Sequence, residues 1–357
     1  MSTTATAAWP AWLDEPLAHG LSMRAHALLI HAPGALGQFD LAWALSRAWL
    51  CESPVDGRAC GHCAACHLMD AHAHSDFHLL VPEVQRDGLG WSSAEGEASD
   101  EGGGKSKAKP SREIKIDALR AAIDWSQRTS ARGGAKVLLI HPADAMNNVT
   151  ANALLKTLEE PPGRLRLLLT AADPESLLPT IRSRCQRLPI RTPSTAQASA
   201  WLAGQGVPDA DVLLAAAGGQ AQAALTLHEQ GVSGAAWSQV PGLVACGHAA
   251  ALSGWPLPSV VDALQKLCHD LMCLHAEGTP RYFSAAALAP AARPALPPLA
   301  ALLAWQMELL RAARHDNHPW HAGLRIDALV AQAAALWHTP RAAPTGRGGA
   351  LATLPGR

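Results

Sequence analysis

Tyrosine and phenylalanine are nearly missing from this chain: one Tyr and three Phe in 357 residues, beside twelve Trp. An aromatic-rich core is excluded, so the interior must be built mainly from Ala, Leu, Val and Ile, which favours helices. Excess charge is missing too. Lys+Arg 29 against Asp+Glu 30 leaves a formal charge of -1. Overall charge therefore gives no argument for a polyanionic partner, nucleic acid or membrane, although a local patch stays open. No run of about 18 strongly apolar residues escapes interruption by Pro, Gly or polar groups, so no membrane span is expected. The opening MSTTATAAWPAWLDEPL has neither a basic n-region nor an apolar h-region and meets Asp14 and Glu15 early. It is not expected to act as a signal peptide. What is present is ample apolar material, 48% against 17% charged, enough for a buried core in a chain whose length fits two to three domains.

The eight cysteines split unevenly. Cys51, Cys60, Cys63 and Cys66 crowd together, while Cys185, Cys246, Cys268 and Cys273 are scattered. Clustered thiols in an unexported chain point to a metal and to a reducing cytosol, hence to a cytoplasmic protein. Four thiolates complete a closed tetrahedral zinc site with no open position, so the ion, Zn2+, would be structural. The C-x₂-C-x₂-C run also occurs in iron–sulfur ferredoxins, but those place the fourth cysteine downstream, often before Pro, and here His67-Leu68 follows. Free thiols are the remaining alternative, and His62 and His67 are reserve ligands.

Along the chain, residues 26–32 (HALLIHA) predict a buried strand closed by Pro33-Gly34, and 38–50 a helix. Further strands are expected at 77–81, 136–140 and 165–171, with helices at 114–125, 148–160 (stopped by Pro161-Pro162) and 177–182. Strands alternating with helices argue for a parallel sheet covered on both faces. Residues 86–111 are Gly, Ser and charge without periodicity and predict an inserted, disordered loop. Beyond Thr192 the strand signal stops. Short helices are expected at 195–203, 209–217 and 220–229, a helical region from 241, and a loose tail from 341.

The first strand, loop and helix have the setting of a nucleotide phosphate site, where loop amides, a Lys and a Ser/Thr hold phosphates and magnesium. The loop here reads Pro33-Gly34-Ala35-Leu36-Gly37-Gln38-Phe39-Asp40-Leu41. Gly34 and Gly37 keep the bend. Phe39 stands where the last glycine belongs, Asp40 where the Lys belongs, and Leu41 where the hydroxyl belongs. Replacing Lys by Asp turns attraction into repulsion, each about 4 kcal/mol at 4 Å and an effective dielectric of 20. The strand Lys136–Ile140 ends in His141-Pro142, with Asp144 further along, so the acidic residues that would hold magnesium are missing from its end as well.

Three segments carry a family likeness. Ala151-Asn152-Ala153-Leu154-Leu155-Lys156-Thr157-Leu158-Glu159-Glu160-Pro161-Pro162 resembles a helix and stop of clamp-loader ATPase subunits of the AAA+ class. Ile181-Arg182-Ser183-Arg184-Cys185 resembles their Ser-Arg-Cys motif, and Leu167 to Asp173 with Pro174 resembles their sensor strand. The cysteine cluster, His74-Ser75-Asp76 and Ile114-Lys115-Ile116-Asp117 fall where bacterial clamp loaders have similar elements. The likeness covers about residues 20–230.

The resemblance implies an AAA+ (RecA-like) parallel-sheet domain at 1–191, carrying a zinc module at 51–66 and the insertion at 86–111. It further implies a small helical lid at 192–240 and a helical, oligomerising collar at 241–340, before the tail at 341–357. Relatives that bind ATP carry a sensor Arg in Gly-x-x-Arg-x-Ala-Leu; Gly219-Gln220-Ala221-Gln222-Ala223-Ala224-Leu225 puts Gln222 there. With these motifs degraded, the implied role is a subunit that binds no ATP and is not catalytic alone. It would sit as a rigid piece of a ring with ATPase subunits of gamma/tau type and a delta subunit, and would help place a sliding clamp on primed DNA. Arg184 would act in trans as an arginine finger, because a permanently charged planar guanidinium suits the charge spread over a transferred phosphoryl group. The bare chemistry of the residue allows a plainer role, capping a helix C-terminus or pairing with a carboxylate. Two other functions stay open: an ATP-hydrolysing subunit with a divergent loop, and a stand-alone zinc-dependent nucleic-acid binder. The second is disfavoured because only Arg58 gives the cluster a basic neighbour.

Overall fold

Five short strands organise the first half of the chain: β1 (Ala27–His31), β2 (Phe77–Leu80), β3 (Lys136–Ile140), β4 (Leu165–Ala171) and β5 (Gln186–Pro189). This is a computed structural model, and it describes residues 9–91, 110–292, 295–314 and 322–338. The strands form one sheet in the order β2-β3-β4-β1-β5, every pairing parallel. Around the strands lie α1 (Asp14–Ser22), α2 (Gln38–Leu50), α3 (Ala64–Asp70), α4 (Glu83–Arg86), α5 (Ile116–Gln127), α6 (Asn148–Glu159), α7 (Pro179–Arg182) and α8 (Thr195–Gly204).

A parallel sheet survives only with both faces covered, and its strands then read as continuous apolar runs. Alternate residues of these strands feed two separate cores. Leu29, Leu138, Leu167 and Leu169 pack with Leu119 of α5 and Leu154 and Leu158 of α6. Leu28, Ile30, Val137, Leu139 and Leu168 pack with Leu17 of α1 and Leu41 and Leu45 of α2. The four expected strands lie within a residue or two of their predicted limits. β5 went unpredicted because its four residues bury Leu188 alone. Asn147 caps α6, its side-chain oxygen accepting from Thr150 N at 3.0 Å, and the last helical residue is Glu159, just before Glu160-Pro161-Pro162.

The expected loop at 86–111 needs correction at its ends. Arg86 closes α4, a 3₁₀ turn follows over Asp87–Leu89, and the Trp91 ring stacks on His72 with centroids 4.1 Å apart. Ser111 N donates to Glu83 Oε2 at 2.9 Å. An isolated Trp amid Gly and Ser gives no periodic signal, yet its ring finds the aromatic neighbours Trp43 and Phe77. Residues 92–109, and the tail at 341–357, lie outside the described residues.

The chain divides into two compact units, Met1–Gln205 with Gln220–Ala223, and Gly206–Gly219 with Ala224–Arg357. The expected segment 192–240 is thus shared between them, and its limit at 240 falls inside a helix. The remaining helices are α9 (Ala210–Ala216), α10 (Ala221–Glu229), α11 (Gly234–Ala245), α12 (Leu257–His275), α13 (Ala285–Leu288), α14 (Leu299–Arg314) and α15 (Ala322–Ala335). In the second unit Trp237 stacks on Phe283 at 4.8 Å. Asp270, fully buried on α12, accepts from the backbone N–H groups of Arg281, Tyr282 and Phe283. No helix among the described residues is long and apolar enough to cross a membrane.

Candidate functional site

The loop after β1 sits at the carboxyl end of the sheet, the side where open α/β sheets receive ligands. Two of its amides, those of Ala35 and Leu36, already donate to the chain's own side chains. Gln38, the first residue of α2 and 7% exposed, turns back into the loop. Its Oε1 accepts from Leu36 N at 2.9 Å, and its Nε2 donates to the carbonyls of Ala32 (3.1 Å) and Gly34. Ala35 N donates to Oε1 of Gln220 at 3.4 Å. Gln220 also fills the space over Gly34, whose φ of +77° suits glycine. A Cβ there would meet the Gln220 amide at 2.3–2.5 Å.

Asp40, in the first turn of α2, accepts a 2.6 Å hydrogen bond from Gln222 Nε2. Burial pushes its carboxyl above the ordinary carboxylate range, and Gln222 only partly offsets this. Phe39 lies 4.9 Å from the His141 ring at the end of β3, and His141 Nδ1 bonds Thr170 Oγ1 at 2.7 Å. Burial lowers the His141 pKa to about 4, so this imidazole is neutral at neutral pH. Leu41 is fully buried and contributes only packing. Asp144 lies in a 3₁₀ turn past β3, where it accepts from Ala172 N at 3.3 Å. The structure thus places Gln222 against Asp40 and Gly37, while Gly34 meets Gln220 and Phe39 meets His141. It adds Gln38 and Gln220, which sequence reasoning missed. Gln220 stands inside the quoted Gly219–Leu225 segment, two residues before Gln222, so its place was in view though its role was not.

Arg184 follows α7. Its Nε donates to Glu159 Oε1 at 2.8 Å, Nη2 completes the ion pair, and Nη1 donates to the Thr180 carbonyl at 2.9 Å. The side chain keeps 34% of its surface exposed. Within the free chain, then, this arginine pairs with a carboxylate and caps the short helix. Arg182 and Arg187 share Glu175.

The four clustered sulfurs converge. Cys51 Sγ lies 3.8 Å from Cys63 Sγ, Cys60 Sγ 4.0 Å from Cys66 Sγ, and all four fall within 4.8 Å of one another. Tetrahedral zinc with bonds near 2.3 Å would ask for S···S separations of about 3.8 Å. Backbone N–H groups point at the sulfurs: Cys60 N at Cys51 Sγ (3.3 Å), Cys63 N at Cys60 Sγ and Cys66 N at Cys63 Sγ (both 3.4 Å). Against the upward push of burial, such donors hold the Cys63 thiol down to about 6. A tight turn positions the module, Val55 and Arg58 exchanging two 2.9 Å backbone bonds across Asp56-Gly57, both at positive φ. His62 and His67 lie outside the cluster, and His62 Nδ1 instead meets the Cys60 carbonyl. The set can hold a metal ion, and with four protein ligands it leaves no position for a reacting water.

Comparison with known proteins gives a consistent likeness. Residues 19–194 match the family model described as "DNA polymerase III, delta subunit". The chain is 38% identical over 218 residues to the DNA polymerase III subunit delta' of Pseudomonas aeruginosa, covering 60% of this chain and 58% of that one. Against the subunit delta' of Escherichia coli it is 36% identical over 207 residues, 57% and 54% of the two chains. The DNA polymerase III subunit tau of Escherichia coli is 29% identical over 177 residues, 49% of this chain and 23% of that one. The match spans a little over half the length of the two delta' relatives. Over that span the chain resembles the delta-prime subunit of bacterial DNA polymerase III.

Proposed function

We propose that this chain is an accessory, non-ATP-binding subunit of a DNA polymerase III clamp loader, of the delta-prime kind. The observation that carries the reading is the filled loop. The amides of Leu36 and Ala35, two of the donors a phosphate would use, serve Gln38 and Gln220 instead. A carboxylate, Asp40, stands in the place of the cation. An incoming triphosphate would have to displace two glutamines and then meet a negative charge. The ATP-hydrolysing alternative is disfavoured on the same ground.

In this reading the four cysteines hold a structural Zn2+ that fixes the segment between α2 and α3. The chain alone catalyses nothing. Arg184 acts at the ATP site of a neighbouring subunit, leaving Glu159 to stabilise the charge that spreads over the transferred phosphoryl group. Its partners are the gamma/tau-type ATPase subunits and delta, and through the complex the sliding clamp and primed DNA, in the cytoplasm. The likeness to both delta' and tau chains supports that setting.

Two measurements test it. A fluorescent ATP analogue should show no saturable binding to the isolated chain, and micromolar affinity would favour the ATPase reading. In a reconstituted complex, R184A should leave assembly unchanged. It should remove most turnover at the one site it serves, where a finger contributes about 10³–10⁵ in rate. R184K should not rescue, since an ammonium lacks the planar fork. Unchanged DNA-stimulated hydrolysis in R184A would remove the role.

A further inference from the structure

Glu159 stands where a helix least favours a carboxylate. It is the last residue of α6, with Glu160 beside it as C-cap. A helix C-terminus carries negative partial charge, so two carboxylates there are unfavourable unless a cation meets them. Arg184 is that cation, and both partners are tied to one core. Leu158, next to Glu159, and Ile181 and Cys185, which flank Arg184 in the chain, are buried in the same cluster. The two side chains therefore meet across a packed frame that fixes their separation.

An arginine has five N–H donors in a rigid fork. In Arg184, Nε–H and one Nη2–H go to Glu159 Oε1, while Nη1 donates to the Thr180 carbonyl at 2.9 Å and to Ser183 Oγ at 3.3 Å. Among the described residues, the second Nη2–H has no acceptor. A phosphoryl group gripped by the fork takes two parallel N–H donors, and Arg184 cannot offer two while it keeps all four contacts. Thr180 and Ser183 belong to its own turn and are neutral. Glu159 is the charged acceptor and comes from another helix, so it is the contact to be exchanged. The pair is weak enough for that. With 34% and 50% of the two side chains exposed, the held arrangement is favoured over the released one by about two- to fivefold.

We infer that Glu159 is a positioning residue that holds Arg184 back until a neighbouring subunit presents nucleotide, whose phosphates then displace the carboxylate. The inference rests on the trans-acting role proposed above for Arg184. A triphosphate spreads more negative charge over more oxygens than one carboxylate does, so the exchange runs forward only where nucleotide is present.

Two measurements test it. On the full chain, NMR follows solvent exchange of the Arg184 Nε–H, which should be about two- to fivefold faster in E159A. Equal rates would show that the pair is not held in solution and would overturn the inference. In a reconstituted complex, the turnover lost in R184A defines the part that depends on Arg184. Its kcat/KM for ATP, which measures the passage from free site to transition state, should rise about two- to fivefold in E159A. E159Q should give a smaller rise, because its amide oxygen still accepts from Nε, and it carries the test if E159A does not fold. E159A/R184A should match R184A. An unchanged or lowered kcat/KM in the folded variant, or an effect of E159A that persists without Arg184, would also overturn the inference. If R184A itself loses no turnover, the trans-acting role falls and this inference with it, whatever the exchange rates show of the ion pair.

Discussion

At the scale of single residues, Asp40 shows how burial can outweigh both a favourable helix position and a donated hydrogen bond. The first turn of a helix favours a carboxylate, and Gln222 donates to this one, yet burial prevails and its pKa is raised. A carboxyl whose folded pKa exceeds its unfolded value holds its proton more tightly in the native state. Its contribution to stability is therefore fully present below the unfolded value of 3.8 and is lost as pH rises through the raised folded value. D40N keeps an oxygen for Gln222 Nε2 and cannot ionise. Its melting temperature should exceed that of the unsubstituted chain by more at pH 7 than at pH 4. An equal difference at the two pH values would show that ionised Asp40 costs the fold nothing. The substitution Lys-to-Asp at this place was legible in the motif alone. The glutamines were not, because Gln38 lies in a helix with ordinary spacing and Gln220 acts across a sequence separation of 185 residues.

At the scale of elements, the cysteine module shows what spacing can and cannot reveal. Four cysteines in a short segment announce a ligand set, and the sulfurs do converge. The local backbone that brings them together, the Asp56-Gly57 turn and Cys63 as N-cap of α3, depends on φ values no periodicity records. The strands follow the same rule. β3 is buried throughout and β4 nearly so, and both were visible as apolar runs, whereas β5 buries one side chain in four and escaped notice. Because α3 is short and the segment before it has few hydrophobic anchors, the module should depend on its ion. We expect one equivalent of zinc per purified chain. At free metal 1,000-fold above Kd, binding contributes about 4 kcal/mol to stability. C63S or chelation should therefore lower the melting temperature, and metal analysis giving under half an equivalent would count against zinc.

At the scale of the whole molecule, the two ends of the chain pose different problems. The sheet unit hides its strands under helices on both faces, but in the second unit α14 leaves apolar groups in water. Leu299, Leu303, Met307 and Leu310 are 46%, 53%, 54% and 40% exposed. Steps of four, four and three residues put them along one helical face. Its opposite face is covered, since Leu302, Trp305 and Leu309 are buried. Scattered exposed leucines need no explanation, whereas four along one helical face make a candidate contact surface. In the proposed assembly that surface belongs to the contacts with the ATPase subunits and delta. Covering a Leu or Met side chain fully contributes about 1.5–3 kcal/mol, so charging two central positions should weaken association by well over about tenfold. L303D/M307D should abolish co-migration with the partner subunits in size-exclusion chromatography. Its own stability should change by no more than about 1 kcal/mol, because both side chains are exposed. Undiminished co-migration of the folded double variant would place the contact elsewhere on the chain.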